Sequence, residues 1–418
     1  MSVQTTTLDN GLRVVTDPMD SVETVAAGVW VAAGTRHETA DVNGISHLLE
    51  HMAFKGTERR RAQDIAEEMD NVGGQLNAYT SRDHTAYYAK VLKGDVPLAL
   101  DILSDILLYP TMDAEELARE QHVVVQEIYQ AEDTPDDIIF DHFQATAFPN
   151  QPMGWPVLGH EKIVRAISPQ RLKDYMAAGY AADTMVISAA GAIDHDAFAA
   201  AVEGLFTTLP LTAQVRELPG RYSGGEFRRR RDLEQVHIVL GFPGISFEDE
   251  NFYNLAALST LFGEGMSSRL FQEIREKRGL AYSVFSNAQS FSDSGLFSIY
   301  AGTGRDDVEK LIPVLCDEIK KVSEGVSEAE VARARAQLKA GILMSLESPS
   351  SRCAQRARQI LVYGRPLTTR EVIDKVEALK PQSIVAAARK VFSGPVTMAS
   401  LGDISKLDDI DAIRARLL

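Results

Sequence analysis

The chain has 418 residues, more than one ordinary hydrophobic core accommodates, and two domains are the natural expectation. Apolar residues make up 45% and charged residues 24%, the balance of a soluble globular protein, and no segment approaches the roughly 18 uninterrupted apolar residues of a membrane span. A net charge of −16 argues against nucleic acid as the main partner and is compatible with drawing basic peptides into a cleft.

The first informative element is a helix expected from about Ile45. Asn43-Gly44 can cap its start, Ile45, Leu48, Leu49 and Met52 form an apolar stripe, and Lys55-Gly56 reads as its end. It carries His47-Leu48-Leu49-Glu50-His51. Histidines four apart share a helix face, so both imidazoles can address one metal ion. Glu50 lies on the same face and can reach a water on that ion without being a ligand. This is the inverted form of the His-Glu-x-x-His zinc signature, and two histidines plus an acid fit zinc with an open coordination position.

Further along, Gly74-Gln75-Leu76-Asn77-Ala78-Tyr79 begins a strand, Ser81-Arg82-Asp83 is a turn, and Thr85 to Leu92 is a second strand. A helix follows from Asp95-Val96 through Leu107, then a long helix beginning near Asp113. His84, just after the turn, reads as structural. Residues 212–234 break the pattern with Pro219-Gly220 and Ser223-Gly224-Gly225 and read as a linker; Arg228-Arg229-Arg230-Arg231 is expected as a solvated connector or strand entry.

Beyond the linker the chain repeats itself. Gly279-Leu280-Ala281-Tyr282 begins a strand, Ser292-Asp293-Ser294-Gly295 is a turn, Leu296 to Ala301 is a strand, and a helix runs from Asp307-Val308 through Ile319. The helix at Ala114–Arg119 corresponds to that at Glu328–Arg333. The expected fold is α+β: two duplicated domains, 1–215 and 230–418, each an antiparallel-rich sheet with helices packed on one face. Glu120 and Glu127, seven apart, share one face of the long helix, and at the same offset Glu127 corresponds to Gly341. The second half also lacks any two histidines four apart. Only the first domain carries a metal set. Cys316 and Cys353 read as buried thiols, not as a disulfide framework.

His47-Leu48-Leu49-Glu50-His51 followed by Glu127 resembles the inverted-zincin peptidases of the pitrilysin and insulinase class, and the resemblance covers nearly the whole chain. Phe54-Lys55-Gly56-Thr57, Leu76 through Thr85 and Gly265-Met266-Ser267-Ser268-Arg269-Leu270-Phe271 look most like the mitochondrial processing peptidase β subunit and its short bacterial relatives. The resemblance implies that His47, His51 and Glu127 hold one Zn²⁺ per chain, that Glu50 is the general base, and that Glu120 orients a ligand histidine through a hydrogen bond. It implies that a peptide adds to the strand at Gln75–Thr80, with backbone contacts at Asn77 and Ala78. It also implies that Arg275 and Tyr282 contact substrate and steady the tetrahedral intermediate. Larger members of the family carry four such domains, so a two-domain chain is expected to act as a homodimer. A start at Met1-Ser2-Val3-Gln4-Thr5, without a secretory signal or Arg-rich leader, favours a bacterial cytoplasmic relative over the mitochondrial subunit. The expected function is zinc-dependent hydrolysis of extended peptides or leader segments. The alternatives are a catalytic subunit that needs an inactive homologous partner, or a non-enzymatic core subunit.

Overall fold

The computed structural model describes residues 2–214 and 218–418; the part of the expected linker at 215–217 lies outside them. The chain forms two compact units. One comprises residues 1–129, 155–218 and 343–367, the other 130–154, 219–342 and 368–418.

The first unit is built on a six-stranded sheet: β1 (Gln4–Thr7), β2 (Arg13–Pro18), β3 (Thr24–Val31), β4 (Gln75–Thr80), β5 (Thr85–Leu92) and β6 (Met185–Gly191). Their order is β1-β2-β6-β3-β5-β4, antiparallel except for the parallel β2–β6 pair. β3 shows why the sheet is buried on both sides. Strand side chains alternate, so Val25, Ala27, Val29 and Val31 enter one core while Ala26 and Trp30 enter another. The first core takes the helices α1 (Ile45–Ala53), α2 (Ala62–Asn71), α3 (Val96–Leu108) and α4 (Ala114–Glu132).

The second unit repeats this plan with β7 (Gly225–Arg230), β8 (Val236–Pro243), β9 (Ala281–Ser290), β10 (Gly295–Thr303) and β11 (Thr397–Gly402), ordered β7-β11-β8-β10-β9. Its single parallel pair, β7–β11, stands where β2–β6 stands in the first sheet, and its edge strand β9 stands where β4 does. The helices Val308–Glu324 and Glu328–Ser345 occupy the places of α3 and α4, and Gly341 lies on the latter. The duplicated α+β architecture is therefore present, and among the described residues no helix is long and apolar enough to cross a membrane.

Two features go beyond the sequence pattern. The arginine run begins inside the sheet, not in a linker: Arg228–Arg230 close the edge strand β7, and the Arg228 guanidinium donates to the carbonyls of Ile404, Leu407 and Asp408. Each sheet also receives one helix on its opposite face, drawn from the other half of the sequence. Helix α5 (Pro135–Ala147) packs Ile138, Ile139 and Phe143 on the second sheet with Val239, Tyr300 and Leu401. Helix Pro349–Tyr363 packs Cys353, Ala357 and Ile360 on the first sheet with Val15, Trp30 and Val186. Its Arg352 and Arg356 both pair with buried Asp17, at 3.0 and 2.8 Å.

Candidate metal centre

Helix α1 spans the expected segment, and its buried face is the expected stripe of Ile45, Leu48, Leu49 and Met52. Its cap falls on the glycine of the expected Asn43-Gly44 pair. Gly44 occupies the N-cap with φ +95°, and Asn43 does not cap the helix; its Nδ2 donates to Glu38 instead. The buried Glu38 carboxylate takes the orphan donors, accepting from Gly44 N–H at 2.8 Å and Ser46 N–H at 2.9 Å. Burial pushes this carboxyl up to about 7, against the opposing pull of its hydrogen bonds from Ser46, Gly44 and Asn43. Glu38→Ala leaves buried donors without a partner, at about 1–3 kcal/mol each, and should cost about 3 kcal/mol of stability in denaturant unfolding of the metal-free protein. A raised folded-state pKa means the folded protein holds the proton more tightly than the unfolded chain. Glu38's contribution is thus fully present below the ordinary value of 4.5 and is lost as pH rises toward about 7. The difference in stability between the wild type and Glu38→Gln should slope across that window. A flat difference would contradict the raised value.

From this fixed start, α1 turns His47, Glu50 and His51 to one side. Helix α4 supplies the facing residues; the Asp113 carboxylate accepts the N–H groups of Glu115 and Glu116, and Gln121 ties the helix to the carbonyls of Val164 and Ile167. Glu120 and Glu127 then face α1. Glu127 Oε2 lies 3.8 Å from His47 Nε2 and 3.7 Å from His51 Nε2, and the three donor atoms lie within 4.8 Å of one another.

These separations are too long for hydrogen bonds. They are close to the roughly 3.4 Å between donors on a tetrahedron with bonds of about 2.1 Å. Glu127 Oε2 is buried and has no hydrogen-bond partner among the described residues, although its side chain as a whole is 37% exposed. An orphaned, inward carboxylate oxygen facing two imidazole nitrogens is the donor set a divalent cation satisfies. Burial, and secondarily the neighbouring His51, lowers the His47 pKa to about 3, so this imidazole is neutral as metal binding requires.

Around the donors, Glu120 Oε2 lies 3.0 Å from His51 Nδ1 and its Oε1 pairs with Lys55 at 2.7 Å. Nδ1–H donating to Glu120 leaves Nε2 as the lone-pair nitrogen facing the other donors. Glu120 is buried, not a solvated helix acid. Glu50 receives a hydrogen bond from the Thr80 hydroxyl at 2.6 Å. Burial raises its pKa, the Thr80 bond and His51 lower it, and Glu127 raises it. Lys55 and Thr80 were not singled out in the sequence. Neither carried a signal in the sequence: Lys55 stands just past the end of α1 and Thr80 at the end of β4.

Asn77 and Ala78 lie on β4, an edge strand of the first sheet. The Ala78 N–H donates to the Asn77 side chain at 2.8 Å, so it faces away from β5. His84 binds Tyr79 and Ser81 through its ring nitrogens, a structural role. Arg275 and Tyr282 belong to the second unit and form a pair of their own. Arg275 lies in a π-helical segment, Phe271–Glu276, with its guanidinium 4.8 Å from the ring centroids of both Phe271 and Tyr282, and Tyr282 is 74% exposed.

Comparison with known proteins identifies the family. Residues 13–161 match the family model described as insulinase (peptidase family M16), and residues 166–338 match the peptidase M16 inactive domain. The chain is 40% identical to an uncharacterized zinc protease of Rickettsia felis over 94% of its own length and 96% of that protein. It is 36% identical to the probable mitochondrial-processing peptidase subunit beta of Arabidopsis thaliana, over 98% of its length and 80% of that protein. A protease from Helicobacter pylori has the same fold, with a TM-score of 0.88 at 24% identity, covering 96% of this chain and 99% of that one. The chain belongs to the insulinase (M16) family of metallopeptidases.

Proposed function

We propose that the protein is a zinc-dependent endopeptidase acting on extended peptides, with His47, His51 and Glu127 as the ligands of one zinc ion per chain. The observation that carries the reading is the orphaned Glu127 Oε2 facing the Nε2 atoms of both His47 and His51. The ion, when bound, supplies Lewis acidity that brings the pKa of water to roughly 7. Glu50, partly desolvated on the same helix face, would accept the proton of the attacking water and pass it to the departing amine. Glu120, anchored by Lys55, holds the His51 ring in place.

The substrate adds to β4 as a further strand, pairing with the edge through Asn77 and Ala78. Backbone pairing of this kind demands an extended segment and reads little sequence. Beside β4 a cavity of about 590 Å³, lined by Phe54, Ile65, Met69, Leu76 and Asn77, offers room for a substrate side chain. For the Ala78 N–H to pair with substrate, the Asn77 side chain must release it. Arg275 and Tyr282 contribute donors to the substrate, in a homodimer that rebuilds the four-domain arrangement of larger relatives.

The test is metal analysis and peptide cleavage on the purified chain alone. The expected result is one zinc per chain, cleavage of unstructured peptides, no cleavage of folded proteins, and loss of activity on chelation that zinc restores. A zinc-loaded chain that cuts nothing until a homologous partner is added would favour the partner-dependent alternative. A chain that binds no zinc would defeat the reading.

A further inference from the structure

The Glu50 carboxylate has one hydrogen-bond partner among the described residues, the hydroxyl of Thr80, whose Oγ1 donates to Oε2 at 2.6 Å. Such a length is that of a charge-assisted O–H···O⁻ bond. Thr80 is the last residue of β4, and alternation along the strand puts its side chain with Leu76 and Ala78, on the opposite face from Asn77 and Tyr79.

Its backbone is fixed from several sides. Thr80 pairs with Thr85 across the hairpin, and the Thr85 hydroxyl donates to the Ala33 carbonyl. The N–H groups of Thr35 and Arg36 bond the carbonyls of Ser81 and Arg82, and Arg36 pairs with Asp83 at 2.8 Å. That approach needs a glycine beside it, since a Cβ on Gly34 would stand 2.3 Å from the Ser81 carbonyl oxygen. Threonine's branched β-carbon further restricts the rotamer that aims the hydroxyl.

We infer that Thr80 is a positioning residue for peptide hydrolysis: it holds Glu50 by Oε2 and leaves Oε1 free to take the proton of the attacking water. The strand that receives the substrate thereby also orients the base. This rests on the reading of Glu50 as general base given above.

The variant Thr80→Val removes the hydroxyl and keeps the branched shape, while Thr80→Ser keeps the hydroxyl. Zinc stoichiometry, peptide affinity of the metal-free protein by fluorescence anisotropy, and steady-state kinetics are measured on each, with Glu50→Gln in the same series. For Thr80→Val, zinc content and peptide affinity should stay within about twofold while kcat falls about tenfold or more. Thr80→Ser should recover most of that loss. If Thr80→Val folds poorly, Thr80→Ala removes the hydroxyl without its bulk and replaces it in the comparison. A kcat for the hydroxyl-free variant within about twofold of wild type overturns the inference. So does a parallel fall in zinc, peptide affinity and kcat, which marks a structural role. Full activity in Glu50→Gln would instead remove the general-base reading itself, whereas an inactive Glu50→Gln beside an active Thr80→Val would defeat only the inference about Thr80.

Discussion

Glu50→Gln should keep its zinc and lose turnover, while His47→Ala and Glu127→Gln should lose both. The separation follows from geometry. Glu50 is hydrogen-bonded to Thr80 and lies outside the set of three converging donors, so replacing its carboxylate by an amide leaves those donors as they were. What the amide cannot do is accept a proton at neutral pH. A positioned general base contributes about 10² to 10⁴ in rate, or about 3–5 kcal/mol on the barrier, so kcat should fall within that range. His47→Ala removes one of the three proposed ligands, and Glu127→Gln replaces an anionic donor with a neutral one. Both should lower zinc occupancy well below one per chain after dialysis. Metal analysis and kcat on the same preparations decide it. Full zinc in Glu127→Gln would move the third ligand elsewhere, Glu120 being the nearest other carboxylate to His51. Turnover surviving in Glu50→Gln would end its assignment as base.

Two inactive variants should restore activity when mixed. One carries Glu50→Gln; the other combines Arg275→Ala with Tyr282→Phe. Arg275 and Tyr282 lie in the unit without a metal set, with the Tyr282 ring largely exposed and the guanidinium against it. In a dimer where these groups serve the zinc of the partner chain, a heterodimer of the two variants has one site with every part intact. That site combines the unmodified Glu50 of the second variant with Arg275 and Tyr282 of the first. Under subunit exchange at equal concentrations about half the dimers are mixed, so activity should rise from near background to about a quarter of wild type. No recovery, with exchange verified by labelled subunits, would mean that each chain completes its own site.

Much of the site was legible because helices impose a fixed spacing. Positions 47, 50 and 51 on α1 and positions 120 and 127 on α4 must share faces, and the structure brings those faces together. The hairpins at Ser81–Asp83 and Ser292–Gly295 were legible for a similar reason: polar turn residues between alternating strands. What escaped were contacts that no period encodes. Glu38, which ends a short 3₁₀ turn at Thr35–His37, reaches forward to the start of α1. Thr80 meets Glu50 from thirty residues along the chain. The exchange of one helix between halves was hidden as well, because amphipathic periodicity says that a helix has a buried face and not which sheet covers it.

That exchange has a consequence for how the protein is made. The first sheet is not finished when the first half of the chain leaves the ribosome. Until residues 349–363 emerge, Trp30, Val15 and Val186 lack the helix that covers them, and Asp17 lacks Arg352 and Arg356. The nascent first unit therefore waits, incomplete, for most of translation. An order in which earlier domains mature independently of later ones is closed to it. A chain cut short before that helix would leave an apolar sheet face and a desolvated carboxylate without partners, so only a nearly full-length product acquires a settled peptidase half.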